Sequence, residues 1–186
     1  MEKGRVIVGQ KRFALTIERL CQQLIEQHGS FEDTCLIGIQ PRGVLLGDRL
    51  HQRLQALLGG AQVAYGKLDI TFYRDDFRTR TKPLSASPTE LEFLVEGKKV
   101  VLVDDVLYTG RTVQAALTAL NHYGRPSKVE LLALIDRRFN RHLPIQGDYI
   151  GMTVDALDEA FVRVDWKEQS EEDRVLLFAD KSEAEG

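Results

Sequence analysis

Two neighbouring acids and a hydroxyl-rich turn form the part of this sequence best suited to carry chemistry. Asp104 and Asp105 follow the apolar run 100–103, and residues 109–112 read Thr-Gly-Arg-Thr just before a helical pattern. Free backbone N–H groups, hydroxyls and the positive end of a helix dipole together suit a phosphate. The adjacent carboxylates need hydroxyls or a cation as partners, because they cannot be desolvated alone. A sugar with a phosphate at one end and vicinal hydroxyls at the other would satisfy both parts.

Each half of this segment also has an ordinary interpretation. Two acids after a strand are common polar strand-end residues, and Thr-Gly-Arg-Thr can simply cap a helix. The combination of both at this spacing favours a ligand site. The segment matches neither a Walker A loop nor a Gly-x-Gly-x-x-Gly turn, which argues against nucleoside triphosphate hydrolysis and dehydrogenase chemistry.

The elements that must position these residues alternate between helix and strand. The spacing predicts helices over 13–25, 44–58 and 111–123, and strands or extended segments over 35–39, 63–72, 100–103 and 128–135. A slip in the alternation near Gly66 predicts a β-bulge. Long helices between apolar strands indicate an α/β fold with a mostly parallel sheet flanked by helices on both faces. In such a sheet, ligands bind beyond the carboxyl ends of the strands.

The remainder of the chain predicts a polar excursion and a small β appendage. Residues 74–88 are rich in charged, hydroxyl and proline residues, which is typical of a long exposed loop. Short strands are predicted near 149–150, 161–164 and 175–178. They lie too close together for helical crossovers, so we expect them to form an antiparallel appendage or a sheet edge. The tail 180–186 is expected to be disordered. No repeat or linker divides the chain, so we predict a single domain over residues 1–186.

The composition bounds the class of protein. The 186 residues are 43% hydrophobic and 28% charged, which suits one globular domain with a core. A formal net charge of −3 excludes a uniformly basic coat but not a local basic patch. Cys21 and Cys35 are interpreted as core residues in a chain without an apolar leader. Since no apolar run approaches the roughly 20 residues that span a bilayer, we expect a cytoplasmic protein with no membrane partner.

Three segments carry a resemblance to a known family. Residues 100–112 closely resemble the phosphoribosyl pyrophosphate (PRPP) motif of type I phosphoribosyltransferases. Residues 68–76 (Leu-Asp-Ile-Thr-Phe-Tyr-Arg-Asp-Asp) and residues 136–151, with Asp-Arg, Leu-Pro-Ile and Asp-Tyr-Ile-Gly, resemble the PyrR family. Members of that family are bacterial pyrimidine-operon attenuators that also carry uracil phosphoribosyltransferase activity. The likeness runs in register from the first helix to about Asp155.

The resemblance implies a type I phosphoribosyltransferase-like fold with a mobile lid loop over about 71–90 and a small C-terminal antiparallel hood. It implies that uracil and PRPP give UMP and diphosphate, with Mg2+ bridging diphosphate and ribose oxygens. Asp104 and Asp105 would bind the ribose hydroxyls and, through water, the metal. The remaining implied positions are Pro41, Arg42 and Gly43 for the leaving diphosphate; Val106, Leu107, Tyr108, Thr109, Gly110, Arg111 and Thr112 for the 5-phosphate; Tyr73 and Arg74, with Arg78, Arg80 and Lys82, in the lid; and Arg137, Phe161 and Val162 near the base and diphosphate. The family usually has threonine where this chain has Pro41.

The family's second activity is regulation of transcription by binding a stem-loop in leader mRNA, under control of a bound uridine nucleotide. The candidate RNA contacts here are Arg19, Arg138, Arg141 and His142. Gln146 and Met152 stand where regulators commonly carry arginine and lysine, and residues 138–140 include one extra residue, so phosphate attraction is weaker. Three hypotheses remain: a uracil enzyme that also binds RNA, an RNA-binding regulator with vestigial catalysis, and a purine-type phosphoribosyltransferase. Family members form dimers that assemble further, so we expect a homodimer or a larger homo-oligomer.

Overall fold

The computed structural model describes residues 4–75, 86–156 and 159–185. The strands are β1 (Arg5–Val8), β2 (Thr34–Ile39), β3 (Ala64–Leu68), β4 (Lys99–Leu107), β5 (Lys128–Arg138), β6 (Tyr149–Asp155), β7 (Phe161–Asp165) and β8 (Arg174–Phe178). The helices are α1 (Gln10–His28), α2 (Gly43–Leu57), α3 (Arg111–Leu120) and α4 (Lys181–Glu185), with a 3-10 turn at Thr71–Tyr73. Five strands form a parallel sheet in the order β3-β2-β4-β5-β6, and β1, β8 and β7 form a separate antiparallel sheet, here called the hood.

The central strands are buried on both faces, as their apolar sequences predict. Alternate residues of one strand enter two different cores: Val101 packs in the core that contains α1 and α2, whereas Val100 packs in the core that contains α3. The apolar stripe of α1 is buried as predicted, and both Cys21 and Cys35 are buried free thiols. The mostly parallel sheet between two helical layers therefore matches the predicted fold class.

The strand order places a topological switch point between β2 and β4. The chain leaves β2 through α2 toward β3, and leaves β4 through α3 toward β5 on the other side. The carboxyl ends of β2 and β4 therefore flank a crevice, which is where open α/β sheets bind ligands. Gly43 opens α2 at this point, and a side chain there would collide with the backbone of Val103 and Asp104. The glycine thus lets the helix start directly against β4.

Strand β4 is longer than the sequence predicted. The apolar run ends at Val103, and the prediction placed Asp104 and Asp105 in a turn; instead both lie within β4. Pairing with β2 stops at Val103, but pairing with β5 continues to Leu107. The acids are therefore held by a strand on one side and open toward the crevice on the other.

The C-terminal strands were expected to form an antiparallel appendage or a sheet edge, and β6 forms an edge of the central sheet. This strand pairs parallel with β5, with Leu132 opposite Tyr149. Its crossover, residues 139–148, contains no helix. It passes the turn between β4 and α3, where the N–H of His142 donates to the Thr109 carbonyl, and it returns to Leu131, whose carbonyl accepts from the N–H of Asp148. Strands β7 and β8 are antiparallel as predicted, and they are joined by β1, which the sequence analysis did not identify.

Smaller departures follow from contacts distant in sequence. The register between β2 and β3 runs through Gly66 without a bulge, and the glycine lies against Glu90 and Leu91 of the returning chain. Phe72, predicted in an extended segment, is 63% exposed in the 3-10 turn. The tail expected to be disordered forms α4, where Asp180 accepts a hydrogen bond from the backbone N–H of Glu183. Residues Arg78, Arg80 and Lys82 of the predicted lid lie outside the described residues. Within the described part of the chain, none of the helices has the length and apolarity to cross a membrane.

Candidate active site

Two buried acids form the floor of the crevice. Asp104 and Asp105 are 6% and 4% exposed, and the backbone N–H of Asp105 donates to Asp104 Oδ1 at 2.9 Å. Asp105 Oδ2 has no hydrogen-bond donor among the described residues, and its nearest cation is Arg42, whose Nη1 lies 4.0 Å away. A buried acceptor without a donor is costly, so this oxygen is suited to a ligand hydroxyl or a hydrated cation.

The surroundings of the two acids raise the pKa of each carboxyl group. Burial raises the pKa of Asp104 well above its ordinary value, and the neighbouring charge of Asp105 raises it further. Burial also raises the pKa of Asp105, although the guanidinium of Arg42 opposes that shift. Perturbed buried carboxyls in a cleft are a recognised mark of functional sites.

The turn between β4 and α3 forms a small cavity of about 220 Å3. Gly110, in the left-handed region at φ 91°, precedes the first residue of α3. The first turn of α3, with its free N–H groups, therefore lies at the cavity. The cavity is lined by Arg74, Asp75, Asp104, Val106, Leu107, Tyr108, Thr109, Gly110, Arg111, Thr112 and Val113. Every residue that the PRPP resemblance assigns to the 5-phosphate is therefore present in one place.

A second cavity of about 470 Å3 lies beside the first. Its lining residues come from the crevice and the hood: Gln40, Pro41, Arg42, Arg74, Asp104, Asp105, Val106, Tyr108, Thr112, Arg137, Phe161 and Val162. Five of these also line the smaller cavity, so the two spaces adjoin. The Gln40–Pro41 peptide bond is cis, and the Arg42 side chain is 56% exposed at the mouth.

Arg137 lies at the end of β5 and forms part of the wall of this second cavity. It is only 4% exposed, and its guanidinium carbon is 4.0 Å from the ring centroid of Tyr108, in the range of a cation–π contact. The hood supplies the opposite wall, because β7 begins with Phe161 and the buried Val162.

The segment before the undescribed residues 76–85 is anchored at the rim. Asp69 accepts hydrogen bonds from the hydroxyl of Thr71 at 2.7 Å and from its backbone N–H, which is the local turn chemistry of an aspartate. Tyr73 packs against His122 with ring centroids 5.5 Å apart, and Arg74 lines both cavities. The Asp-Ile-Thr motif therefore fixes the base of the segment predicted as the lid.

Arg19 lies apart from the other three candidate RNA contacts. Arg19 donates to the carbonyls of Ile150 and Gly151 at the start of β6. Arg138 pairs with Asp155 at the other end of that strand, four residues and about 13 Å further along. The other two candidates contact the turn between β4 and α3: Arg141 donates to Asp136 and to the carbonyl of Tyr108, and the ring of His142 accepts from Arg111.

Sequence reasoning missed three residues of the site. Gln40 lines the larger cavity and donates to the carbonyl of Pro88 at 2.8 Å. Asp75 pairs with Arg111 across the smaller cavity. Asp136 binds Arg141 at 2.6 Å. Asp136 and Gln40 could have been found from the sequence, because each directly follows a predicted strand at the end of the sheet where ligands bind. The contact of Asp75 depends on tertiary structure alone.

Comparisons with known proteins agree with this geometry. The phosphoribosyl transferase domain family matches residues 7–169. A curated relative named bifunctional protein PyrR from Caldicellulosiruptor bescii is 39% identical over 177 residues, which is 95% of this chain and 96% of the relative. A protein of the same name from Bacillus cereus is 36% identical over 181 residues, covering 96% and 99% of the two chains.

Solved structures of lower identity share the fold. A hypoxanthine phosphoribosyltransferase from Staphylococcus aureus superposes with a TM-score of 0.70 at 19% identity, covering 94% of this chain and 92% of the other. The hypoxanthine phosphoribosyltransferase of Trypanosoma cruzi gives a TM-score of 0.68 at 15% identity, covering 93% and 95%. At such identities the likeness shows the fold and leaves the choice of base open.

The fold and the matching domain define the class: this chain is a type I phosphoribosyltransferase. The two curated relatives, aligned over nearly their whole length, narrow this further. The chain belongs to the PyrR family.

Proposed function

We propose that this chain transfers the phosphoribosyl group of PRPP to uracil and releases diphosphate. The observation that carries the proposal is the adjoining pair of cavities, which share Asp104 as a common wall. One cavity has a helix start suited to a terminal phosphate, and the other has Arg42 and Arg137 beside a partly apolar hood. A phosphorylated sugar that carries a diphosphate would span both spaces.

The residues act by binding and by charge. The turn 109–112 would hold the 5-phosphate, and the two acids would accept hydrogen bonds from the ribose hydroxyls. As the bond from the anomeric carbon to the diphosphate oxygen breaks, Arg42 would neutralise the charge growing on the leaving group. The new bond forms to the ring nitrogen of uracil, which releases its proton. The acids remain near the ribose while it carries transient positive charge, and no protein nucleophile is required.

The acid pair also fits a hydrated magnesium ion. Among the described residues there is no group of three or more histidine, cysteine or acidic side chains that could form a closed metal cage. Asp105 Oδ2, however, is a buried oxygen without a donor, and Mg2+ is usually held by one or two carboxylates together with waters and substrate phosphates. When bound there, the ion would supply positive charge to the diphosphate.

A panel of bases tests the reaction and its specificity together. We would measure diphosphate release from PRPP and Mg2+ with uracil, hypoxanthine, guanine and xanthine. Turnover with uracil, and with none of the three purines, supports the proposal. Turnover with a purine but not with uracil overturns it in favour of a purine-type enzyme, and no turnover with any base overturns the catalytic proposal.

A regulatory role is the second candidate, and the relatives named bifunctional protein PyrR favour it. We propose that the chain also binds leader mRNA of a pyrimidine operon when UMP is bound. Three of its candidate contacts, Arg19, Arg138 and Arg141, already pair within the chain, so the expected phosphate attraction is modest. Gel shifts with leader RNA at physiological salt, with and without UMP, test this role; no shift in either condition would leave the enzyme alone.

A further inference from the structure

The phosphate turn is held from behind by the crossover between β5 and β6. One nitrogen of the Arg141 guanidinium donates to the carbonyl of Tyr108, and the other donates to Asp136 Oδ1 at 2.6 Å. The Arg141 side chain is 22% exposed and that of Asp136 is 14% exposed. A planar guanidinium with two acceptors in this setting is fixed in orientation.

The same crossover continues along the turn. The backbone N–H groups of His142 and Leu143 donate to the carbonyl of Thr109 at 2.9 and 3.3 Å. Ile145 and Leu143 lie against Gly110, where an added side-chain carbon would be 3.3 Å from Ile145. Three successive residues of the turn, from Tyr108 to Gly110, are therefore supported by one segment.

This support determines where the N–H groups of the turn point. In a trans peptide unit the carbonyl and the following N–H point in opposite directions. Because the Tyr108 carbonyl faces Arg141, the N–H of Thr109 faces away from it. The same relation directs the N–H of Gly110 away from His142. Both residues line the cavity of about 220 Å3, so the contacts behind the turn orient its donors toward that cavity.

We propose that Arg141 is a positioning residue for the 5-phosphate site. The inference rests on the proposed phosphoribosyl transfer, and it assigns Arg141 to the enzyme rather than to RNA contact. Arg141 does not line either cavity; it acts by fixing the peptide unit between Tyr108 and Thr109. Loss of that orientation would weaken every ligand that places a phosphate on the turn.

The test measures binding of ribose 5-phosphate by calorimetry, which needs no base and no turnover. Arg141→Gln keeps a polar side chain but removes the fork, and we expect its Kd to rise about tenfold. Arg141→Lys can reach one acceptor and should fall between wild type and the glutamine variant. Arg53→Gln is the matched control, because Arg53 makes a two-point contact with Glu18 on the exposed side of α2; its Kd should stay within twofold of wild type.

Steady-state kinetics add a readout that general destabilisation would not produce. For Arg141→Gln we expect the KM for PRPP to rise about tenfold while the KM for the accepted base changes less than twofold. If Arg141→Gln does not fold, Asp136→Asn, which weakens only one end of the fork, should raise the Kd for ribose 5-phosphate about threefold.

The outcomes separate this inference from the proposed function. A wild type that binds ribose 5-phosphate but turns over no base would overturn the enzyme proposal, and the Arg141 variants would still decide the positioning role. An unchanged Kd in Arg141→Gln overturns the inference, even if leader RNA binding is lost. A wild type that turns over uracil but does not bind ribose 5-phosphate overturns the inference and leaves the proposed function standing.

Discussion

The parallel sheet has buried carboxylates near both ends of its strands, and the two sets differ in their hydrogen-bond partners. Toward the carboxyl end of β4, Asp104 and Asp105 are buried, and Asp105 Oδ2 lacks a donor among the described residues. Near the amino end of the neighbouring strand β5, Glu130 is equally buried. Glu130 lies 2.9 Å from the ring of His28, 3.3 Å from the hydroxyl of Tyr149 and 2.6 Å from Lys128.

This difference distinguishes Glu130, whose charge stabilises the packing, from the two acids on β4, whose charges are available to a ligand. The cluster around Glu130 satisfies both carboxylate oxygens, and it ties the end of α1 to β5 and β6, with Thr34 of β2 contacting the other nitrogen of His28 at 3.2 Å. A paired buried charge of this kind contributes to a specific packing. Among the described residues, the acids on β4 contact each other and nearby backbone N–H groups, and their ionic neighbour Arg42 lies 4.0 Å from Asp105. Their burial is therefore a cost that a ligand would offset.

Removal of both charges at the carboxyl edge should have the largest effect. We expect Asp104→Asn with Asp105→Asn to lower kcat/KM for PRPP about 1,000-fold, because the amides cannot match the charge that develops on the ribose. Diphosphate release with uracil is the measurement, with far-UV circular dichroism to confirm the fold. Glu130→Gln is the matched control at the other edge and should keep kcat/KM within threefold. Unchanged turnover in the double variant would contradict the assigned role.

Breaking the satisfied cluster should affect stability instead. Glu130→Ala removes the carboxylate that contacts His28 and Tyr149 and leaves these two side chains with each other at 3.0 Å, and we expect the free energy of unfolding to fall by about 2 kcal/mol. Urea denaturation checks this value. The control is Glu18→Ala, which removes an exposed partner of Arg53 and should cost less than about 1 kcal/mol. Equal losses in the two variants would show that the cluster contributes no more than a surface pair.

A third charged group links the two halves of the molecule. Arg49 of α2 donates to Glu168 and Asp173 at 2.6 to 3.1 Å, and its guanidinium lies 5.0 Å from the ring of Trp166. It therefore attaches the hood to α2, whose first residue follows Arg42.

The Arg49 contact predicts a selective kinetic effect, since the hood carries the wall expected to face the base. Arg49→Met should lower the free energy of unfolding by about 2 kcal/mol and raise the KM for uracil about fivefold, with the KM for PRPP nearly unchanged. Steady-state kinetics over both substrates check this. Arg53→Met is the control and should change neither constant; an equal rise in both KM values for Arg49→Met would indicate general loosening.

Local patterns predicted the parts of the fold whose packing is periodic. The helix α1 and the buried strands at 35–39 and 128–135 follow from apolar spacing, and the PRPP segment indicated the turn between β4 and α3 that lines the smaller cavity. Strand β1 was missed because four residues carry little periodic signal. The direction of β6 and the length of β4 depend on pairing with β5, which no local pattern encodes. The contact of Asp75 with Arg111 and that of Arg141 with the Tyr108 carbonyl likewise join residues 36 and 33 positions apart in the chain.

The smallest expected effect is a gain in stability at the acid pair. Since burial raises the pKa of Asp104, the folded chain binds this proton more tightly than the unfolded chain does. The resulting loss of folding stability is absent at low pH, where the carboxyl group is protonated in both the folded and the unfolded chain. It develops as the pH rises above the ordinary pKa of an aspartate. Asp104→Asn removes the penalty and keeps the oxygen that accepts from the N–H of Asp105. We expect the free energy of unfolding to increase by about 1 kcal/mol at pH 7.5 and to match wild type near pH 4. Urea denaturation across this range checks the sign: a loss of stability at pH 7.5, as expected for Glu130→Gln, would place Asp104 among the structural charges.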